Sequence, residues 1–347
     1  LKRAPTGSVD GSRPDRDNRR FARDSGVRVT AAETPAVPVV ADSAEAVRAG
    51  LEAQRYICSR QIATAVYLAV QLGKPVLIEG PPGVGKTELA KTTARMFELP
   101  LIRLQCYEGL DEAKALYEWK YGKQLLYIQV LKEQLHDVLD GAKGLRESIR
   151  RLHEFGDVFF SEEFLEPRPL LQALKAEDGA VLLIDEIDKA DQEFESLLLE
   201  MLSDFQVSIP EIGTVGAKGR PPVVFLTSNN TREISDALKR RCLHLYIPFP
   251  DPHLERDIIH ARVPEIPEEL RRQLVAFVQE LRERDLKKTP AISETIDWAR
   301  TLVLLNSDAL DADLVRDTLN VLLKFQDDID SVEPELHSLL DRAKKAR

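Results

Sequence analysis

Lys86 and Thr87 close the stretch GPPGVGKT, residues 80–87, which lies between the apolar run PVLIE and the helix-like ELAKTTARMF. Gly80, Gly85, Lys86 and Thr87 have the spacing of a phosphate loop in the strand-to-helix setting that such a loop requires. Gly80, Pro81, Pro82, Gly83, Val84 and Gly85 then form a turn whose backbone N–H groups face phosphate oxygens, with the following helix N-terminus adding a favourable dipole. Lys86 would reach the β- and γ-phosphates and the Thr87 hydroxyl would hold Mg²⁺, so ATP with Mg²⁺ is the expected ligand pair. In AVLLIDE an apolar run carries Asp185 and Glu186 to the carboxyl end of a buried strand, where open α/β sheets bind ligands. Asp185 suits a Mg²⁺ role and Glu186 a base that orients the attacking water. PVVFLTSNN sets Asn229 just beyond another apolar strand, where a neutral amide positions water without adding negative charge. Taken alone, Asn-Asn also reads as an ordinary turn.

These groups need a sheet to hold them. Short β-type runs, PVLIE, LIRLQ, AVLLID, PVVFLTS and LHLYI, alternate with helical stretches. Near-continuous apolar strands separated by helices predict a parallel sheet covered on both faces. Between the third and fourth of them, DQEFESLLLEMLSDF follows the Asp-Glu pair with apolar residues at helical spacing, a core face with no chemistry. After IPFPDP no strand signal returns. The expected fold is therefore α/β, with a disordered tail over 1–42, a nucleotide-binding core over 43–250 and a smaller all-helical domain over 251–347. The tail reading rests on eight Lys/Arg against four Asp in the first thirty positions and on little periodicity.

Composition narrows the partners. A formal net charge of −10 speaks against a broad nucleic-acid surface. Cys58, Cys106 and Cys242 are widely spaced and read as reduced, buried thiols. The six histidines, His136, His153 and His244 among them, show no metal spacing. No run of about 18 apolar residues exists and no signal-peptide h-region opens the sequence, so a cytoplasmic protein is expected.

GPPGVGKT, LLIDE, SNN and LKRRC, in this order, resemble the Walker A, Walker B, sensor 1 and arginine-finger motifs of AAA+ ATPases. EPRPLLQAL, DEIDKAD and LLLEMLSDFQVSIPE resemble the MoxR-type branch. RLQCYEGLDEAKALYEW, YGKQLLY and TSNNTREISDALKRRCLHLYI are most similar to its CoxD-type members, accessory to carbon monoxide dehydrogenase maturation. The resemblance covers about residues 45–305. It implies a P-loop core with a helical lid, a homo-hexameric ring, Arg241 as a finger acting on a neighbouring subunit, and a von Willebrand factor A-domain partner. It further implies a metalloenzyme client, for CoxD-type members a molybdenum-copper hydroxylase. MoxR-type lids carry a sensor 2 arginine early in a helix; Thr295 aligns there, and Arg300 follows five positions later.

Two hairpins are also expected. One is centred on Gly122 in ALYEWKYGKQLLYIQV, with aromatic residues on either side that either face a ring pore or pack on neighbouring helices. The other lies in FQVSIPEIGTVGAKGRPPVVF. An ATP-driven remodelling machine is the leading functional reading, with an ATP-holding scaffold of little turnover as the alternative. Glu186, Asn229 and Arg241 favour the machine, because a static clamp needs no water-orienting acid or finger.

Overall fold

The computed structural model describes residues 41–130, 144, 146, 147 and 161–345. The expected tail lies outside them except for Ala41 and Asp42, as do His136 and His153.

Helices α1 (Ala44–Ala53) and α2 (Arg60–Leu72) precede β1 (Val76–Glu79). Ser43 and Ser59 cap the two helices with their hydroxyls, and Gly73 ends α2 in the left-handed conformation at φ 60°. Next come α3 (Lys86–Met96), β2 (Leu101–Gln105), α4 (Glu112–Ala115), β3 (Tyr117–Trp119), α5 (Tyr121–Val130), β4 (Leu165–Pro167), α6 (Pro169–Lys175) and β5 (Val181–Asp185). The core continues through α7 (Gln192–Asp204), β6 (Gln206–Ile209), β7 (Gly213–Gly216), β8 (Val223–Ser228), α8 (Asp236–Lys239) and β9 (Leu243–Tyr246).

The five apolar runs form one parallel sheet in the order β2-β5-β8-β1-β9. Parallel strands all finish at the same edge. Glu79 pairs with Ser228 and Gln105 with Asp185, so the segments beginning at Gly80, Glu186 and Asn229 leave the sheet side by side. The three central strands are buried along nearly their whole length, as two covered faces demand. β2 departs from that expectation: of LIRLQ only Leu104 is buried, because the strand lies at the sheet's edge.

The hairpin expected around Gly122 does not form. β3 pairs antiparallel with β4, Trp119 opposite Leu165, and Gly122 sits in the first turn of α5, where a glycine costs only about 1 kcal/mol. Trp119 is 7% exposed and meets Tyr117 edge-on at 5.9 Å. Packing is therefore its role, and Trp119→Ala is expected to lower unfolding free energy by about 3–5 kcal/mol, read from denaturant titration. The second hairpin is present but tighter than expected: β6 pairs with β7 rather than with the PVVF run, and Val207 stands opposite Val215. Those two valines face the core, which fixes the register; PVVF belongs to β8, where every residue from Val224 to Ser228 is buried.

After β9 the described chain is helical: α9 (Pro252–Arg262), α10 (Glu268–Arg282), α11 (Ile292–Leu304), α12 (Ala312–Leu322), α13 (Gln326–Val332) and α14 (Leu336–Lys345). Asp251 caps α9 by accepting from His253 and Leu254 N–H, with Pro252 pre-set at the first helical position. An apolar cluster drawn from residues 259–343 surrounds Trp298, whose indole N–H donates to Thr318 Oγ1 at 2.8 Å. The buried Glu255 carboxylate accepts both Arg282 terminal nitrogens at 2.7 Å, and Arg282 Nε donates to Pro290 O. That pair fastens α9 and α10 to the turn before α11, and removing one partner would strand a buried charge.

Candidate functional site

Gly80 leaves β1 at φ 148°, and a Cβ there would come within 2.2 Å of Ile247 O on the neighbouring strand's extension. Gly83, at φ 76°, faces the start of α11: a Cβ would meet Ala291 Cβ at 2.5 Å and Ser293 Oγ at 2.7 Å. Both positions therefore need glycine for space as well as for conformation. Pro81 and Pro82 fill the turn between them, Val84 follows, and Gly85 ends the loop as the N-cap of α3.

The side chains of this loop converge with those of β5 and β8. Lys86 is 6% exposed, and its Nζ donates to Gly80 O (2.6 Å), Pro81 O (2.8 Å) and Asn229 Oδ1 (2.7 Å). Burial presses the ammonium below its ordinary pKa, opposed by the charges of Asp188, Asp185 and Glu186. Thr87 Oγ1 donates to the Asp185 carboxylate at 3.1 and 3.3 Å. Asp185 also accepts from Thr227 Oγ1 at 2.5 Å and from Arg103 at 2.6 and 3.1 Å. Its charge is buried and thus needs these partners.

Glu186 follows in the left-handed region at φ 58°, with its backbone N–H donating to Thr227 Oγ1. One carboxylate oxygen accepts from Gln105 Nε2 and Lys189 Nζ, each at 2.7 Å; the other accepts from Asn229 Nδ2 at 3.4 Å. The Asn229 amide thus bridges Lys86 and Glu186. A lysine only donates and a carboxylate only accepts, so the amide's orientation is fixed by its neighbours.

The expected residues Gly80–Thr87, Asp185, Glu186 and Asn229 are therefore brought together, and Arg241 is not. Arg241 precedes β9, whose Leu243 pairs with Val76 at the opening end of β1. Six residues along the strand direction separate its level from that of Gly80, roughly 20 Å at 3.3 Å per residue. Its guanidinium donates to Ser203 Oγ (2.8 Å) and Ala237 O (3.2 Å), not to any group of the phosphate loop.

Four participants, Arg103, Gln105, Asp188 and Thr227, lie inside stretches that carry the family resemblance, yet the sequence assigns none of them a role at the site. Arg103 does leave a sign, since a charge inside LIRLQ interrupts an otherwise apolar run. Beside the loop a cavity of about 280 Å³ opens between Tyr56 and Ile57 on one side and Ile292, Ser293 and Arg300 on the other. Tyr56 Oη donates to Gly85 O, and burial raises its phenol well above the usual range. Thr295, aligned with the sensor 2 position, is buried and donates to Ala291 O, whereas Arg300 reaches the cavity wall.

Mg²⁺ takes one or two protein oxygens and completes its shell with water and phosphate. The Thr87 hydroxyl and Asp185 carboxylate, side by side beneath the loop, fit that demand. Among the described residues no group of three or more His, Cys, Asp or Glu is placed to hold a metal, and no helix is long and apolar enough to cross a membrane.

Residues 75–242 match the family model described as AAA domain (dynein-related subfamily). Gas vesicle ATPase GvpN of Haloferax mediterranei is 26% identical over 237 residues, which are 65% of this chain and 61% of that protein, so less than two thirds of that relative is spanned. Gas vesicle ATPase GvpN1 of Halobacterium salinarum is 23% identical over 286 residues, 78% of this chain and 75% of that one. Among solved structures, the Thermotoga maritima RuvB Holliday junction branch migration motor aligns at 17% identity with a TM-score of 0.41, over 79% of this chain and 69% of that one. A parallel five-stranded sheet with flanking helices, a phosphate loop at its carboxyl edge and the family match agree: the chain has a P-loop AAA fold, and residues 75–242 are similar to the AAA domains of the dynein-related subfamily.

Proposed function

We propose that the chain hydrolyses ATP to drive remodelling of a partner protein, as a MoxR-type AAA+ machine. The observation that carries this reading is the Asn229 amide, held between Lys86 and Glu186. A pocket that only stored ATP would need the phosphate loop; it would have no use for a carboxylate and an amide aimed at the place where water attacks. In this reading Lys86 neutralises the β- and γ-phosphates, Glu186 orients and deprotonates the water, and Asn229 keeps the two apart. Thr87 and Asp185 hold Mg²⁺, which when bound screens phosphate charge. The core extends over 43–250, and the helices of 251–347 form the lid.

The ring is a homo-hexamer in this proposal, with Arg241 presented to a neighbour's nucleotide, and it works in the cytoplasm. The CoxD-like stretches support a further step: a von Willebrand factor A-domain partner and a metalloenzyme client, a molybdenum hydroxylase of the carbon monoxide dehydrogenase type. The gas vesicle ATPases among the relatives support the ATPase reading and name no client for this chain.

The test is ATP binding and turnover by the wild type and by Lys86→Ala. Losing a charge-assisted contact is expected to weaken ATP binding about 10- to 100-fold, while the thermal midpoint without nucleotide stays near that of the wild type. Retained affinity would sink the phosphate-loop assignment. Candidate hydroxylases are then added to the wild type, and stimulated turnover identifies the client class.

A further inference from the structure

We infer that Asp188 is a positioning residue for the proposed hydrolysis, fastening the Asn229 loop so that its amide stays between Lys86 and Glu186. The inference rests on the hydrolytic reading above. Asp188 lies in the 3₁₀ turn Ile187–Lys189 directly after β5 and is 3% exposed. One of its oxygens accepts from Asn229 N–H at 3.3 Å. The other accepts from Thr231 N–H at 3.0 Å and from Thr231 Oγ1 at 2.6 Å. All three donors belong to the three residues that follow β8.

That loop needs holding. Asn230 sits at φ 58°, a conformation that side chains other than glycine adopt infrequently and that surrounding bonds must maintain. Ser228 Oγ supports the Asn230 N–H at 3.0 Å, and Asp188 supports the residues on either side. Burial alone would raise the Asp188 carboxyl, yet the Thr231 and Asn229 donors hold it below its ordinary value, so the acceptor-only form persists. An ionised carboxylate is what this loop requires, because each of its three partners presents a hydrogen.

The turn also joins Asp188 to the groups it would align. Lys189 N–H donates to Glu186 O, closing the turn, and Glu186 and Asp188 flank Ile187. Consequently one rigid segment sets Glu186 directly and sets Asn229 through Asp188. A carboxylate serving only fold stability would have no reason to grip the one loop whose side chain bridges the phosphate-loop lysine and the proposed base.

Asp188→Asn keeps the shape but puts an NH₂ where two donors converge. It is expected to lower kcat on the order of 10²-fold, the scale set by a misplacement of about 1 Å, with KM and ATP affinity unchanged. Thr231→Val, which keeps the branched shape, should lose rate in the same direction. Asn229→Ala combined with Asp188→Asn should turn over no more slowly than Asn229→Ala alone, because the positioned group is already gone. Wild-type kcat in a folded Asp188→Asn, or losses that multiply in full in the double variant, overturns the inference. Should Asp188→Asn fail to fold, the Thr231→Val and Asn229→Ala cycle decides the matter by the same criterion. A wild type without turnover refutes the hydrolytic reading itself, whereas an active wild type with an inactive Glu186→Gln and unaffected Asp188 and Thr231 variants refutes only this inference.

Discussion

Glu186→Gln is expected to bind ATP as the wild type does and to turn it over about 10²- to 10⁴-fold more slowly, the range for losing a general base. The amide has nearly the same size, so it stays within reach of Gln105 and Asn229 beside the Lys86 ammonium. What disappears is the negative charge that, in the proposed reading, orients water and takes its proton. Lys189, paired to the same carboxylate at 2.7 Å, is 50% exposed, so its freed ammonium returns to solvent at little cost. Equilibrium binding of a fluorescent ATP analogue, beside single-turnover hydrolysis, separates the two effects. Wild-type turnover in this variant would move the base elsewhere; weakened binding with a proportionate loss of rate would make Glu186 part of the phosphate cradle.

Arg241→Ala should have an effect of comparable or larger size, about 10³- to 10⁵-fold in turnover, with ATP binding intact. Phosphoryl transfer spreads negative charge over the γ-phosphate oxygens, and among the described residues Lys86 is the cation held at the loop itself. Arg241 cannot serve its own pocket from a position roughly 20 Å down the sheet. It can serve a second copy of the chain, because its guanidinium is exposed and held in place by Ser203 and Ala237. Mixing Arg241→Ala with Lys86→Ala subunits should restore activity, since one supplies a sound pocket and the other a sound finger. Native mass spectrometry showing mixed assemblies without recovered hydrolysis would count against a finger in trans.

What is legible in the sequence is what is local. The phosphate loop occupies eight consecutive residues, and Asp185, Glu186 and Asn229 each stand at the end of an apolar run, so strand direction alone places them together. Arg103, Gln105 and Thr227 reach their partners across 82, 81 and 42 positions, and no spacing within one element announces such contacts. The aromatic segment around Gly122 misleads for the same reason. A glycine between β-type residues is a local turn signal, whereas the true partner of Trp119 is Leu165, far along the chain. Arg241 is marked by its motif, and its distance from the loop follows only from the parallel pairing of β1 with β9.

The fit between Gly83 and the start of α11 has a mechanical consequence. Ala291 and Ser293 occupy the volume that a side chain on Gly83 would take, and Ser293 N–H reaches Gly83 O at 3.4 Å. With no slack between them, the tip of the phosphate loop cannot advance toward α11 without pushing it. Close-packed interiors transmit such a push rather than absorb it. The helix behind that contact, Ile292–Leu304, is about 20 Å long at 1.5 Å per residue, so a small tilt at its root sweeps a larger arc at its far end. In the proposed ATP-driven cycle, a shift of the phosphate loop at Gly83 would therefore be passed to this helix and enlarged along it.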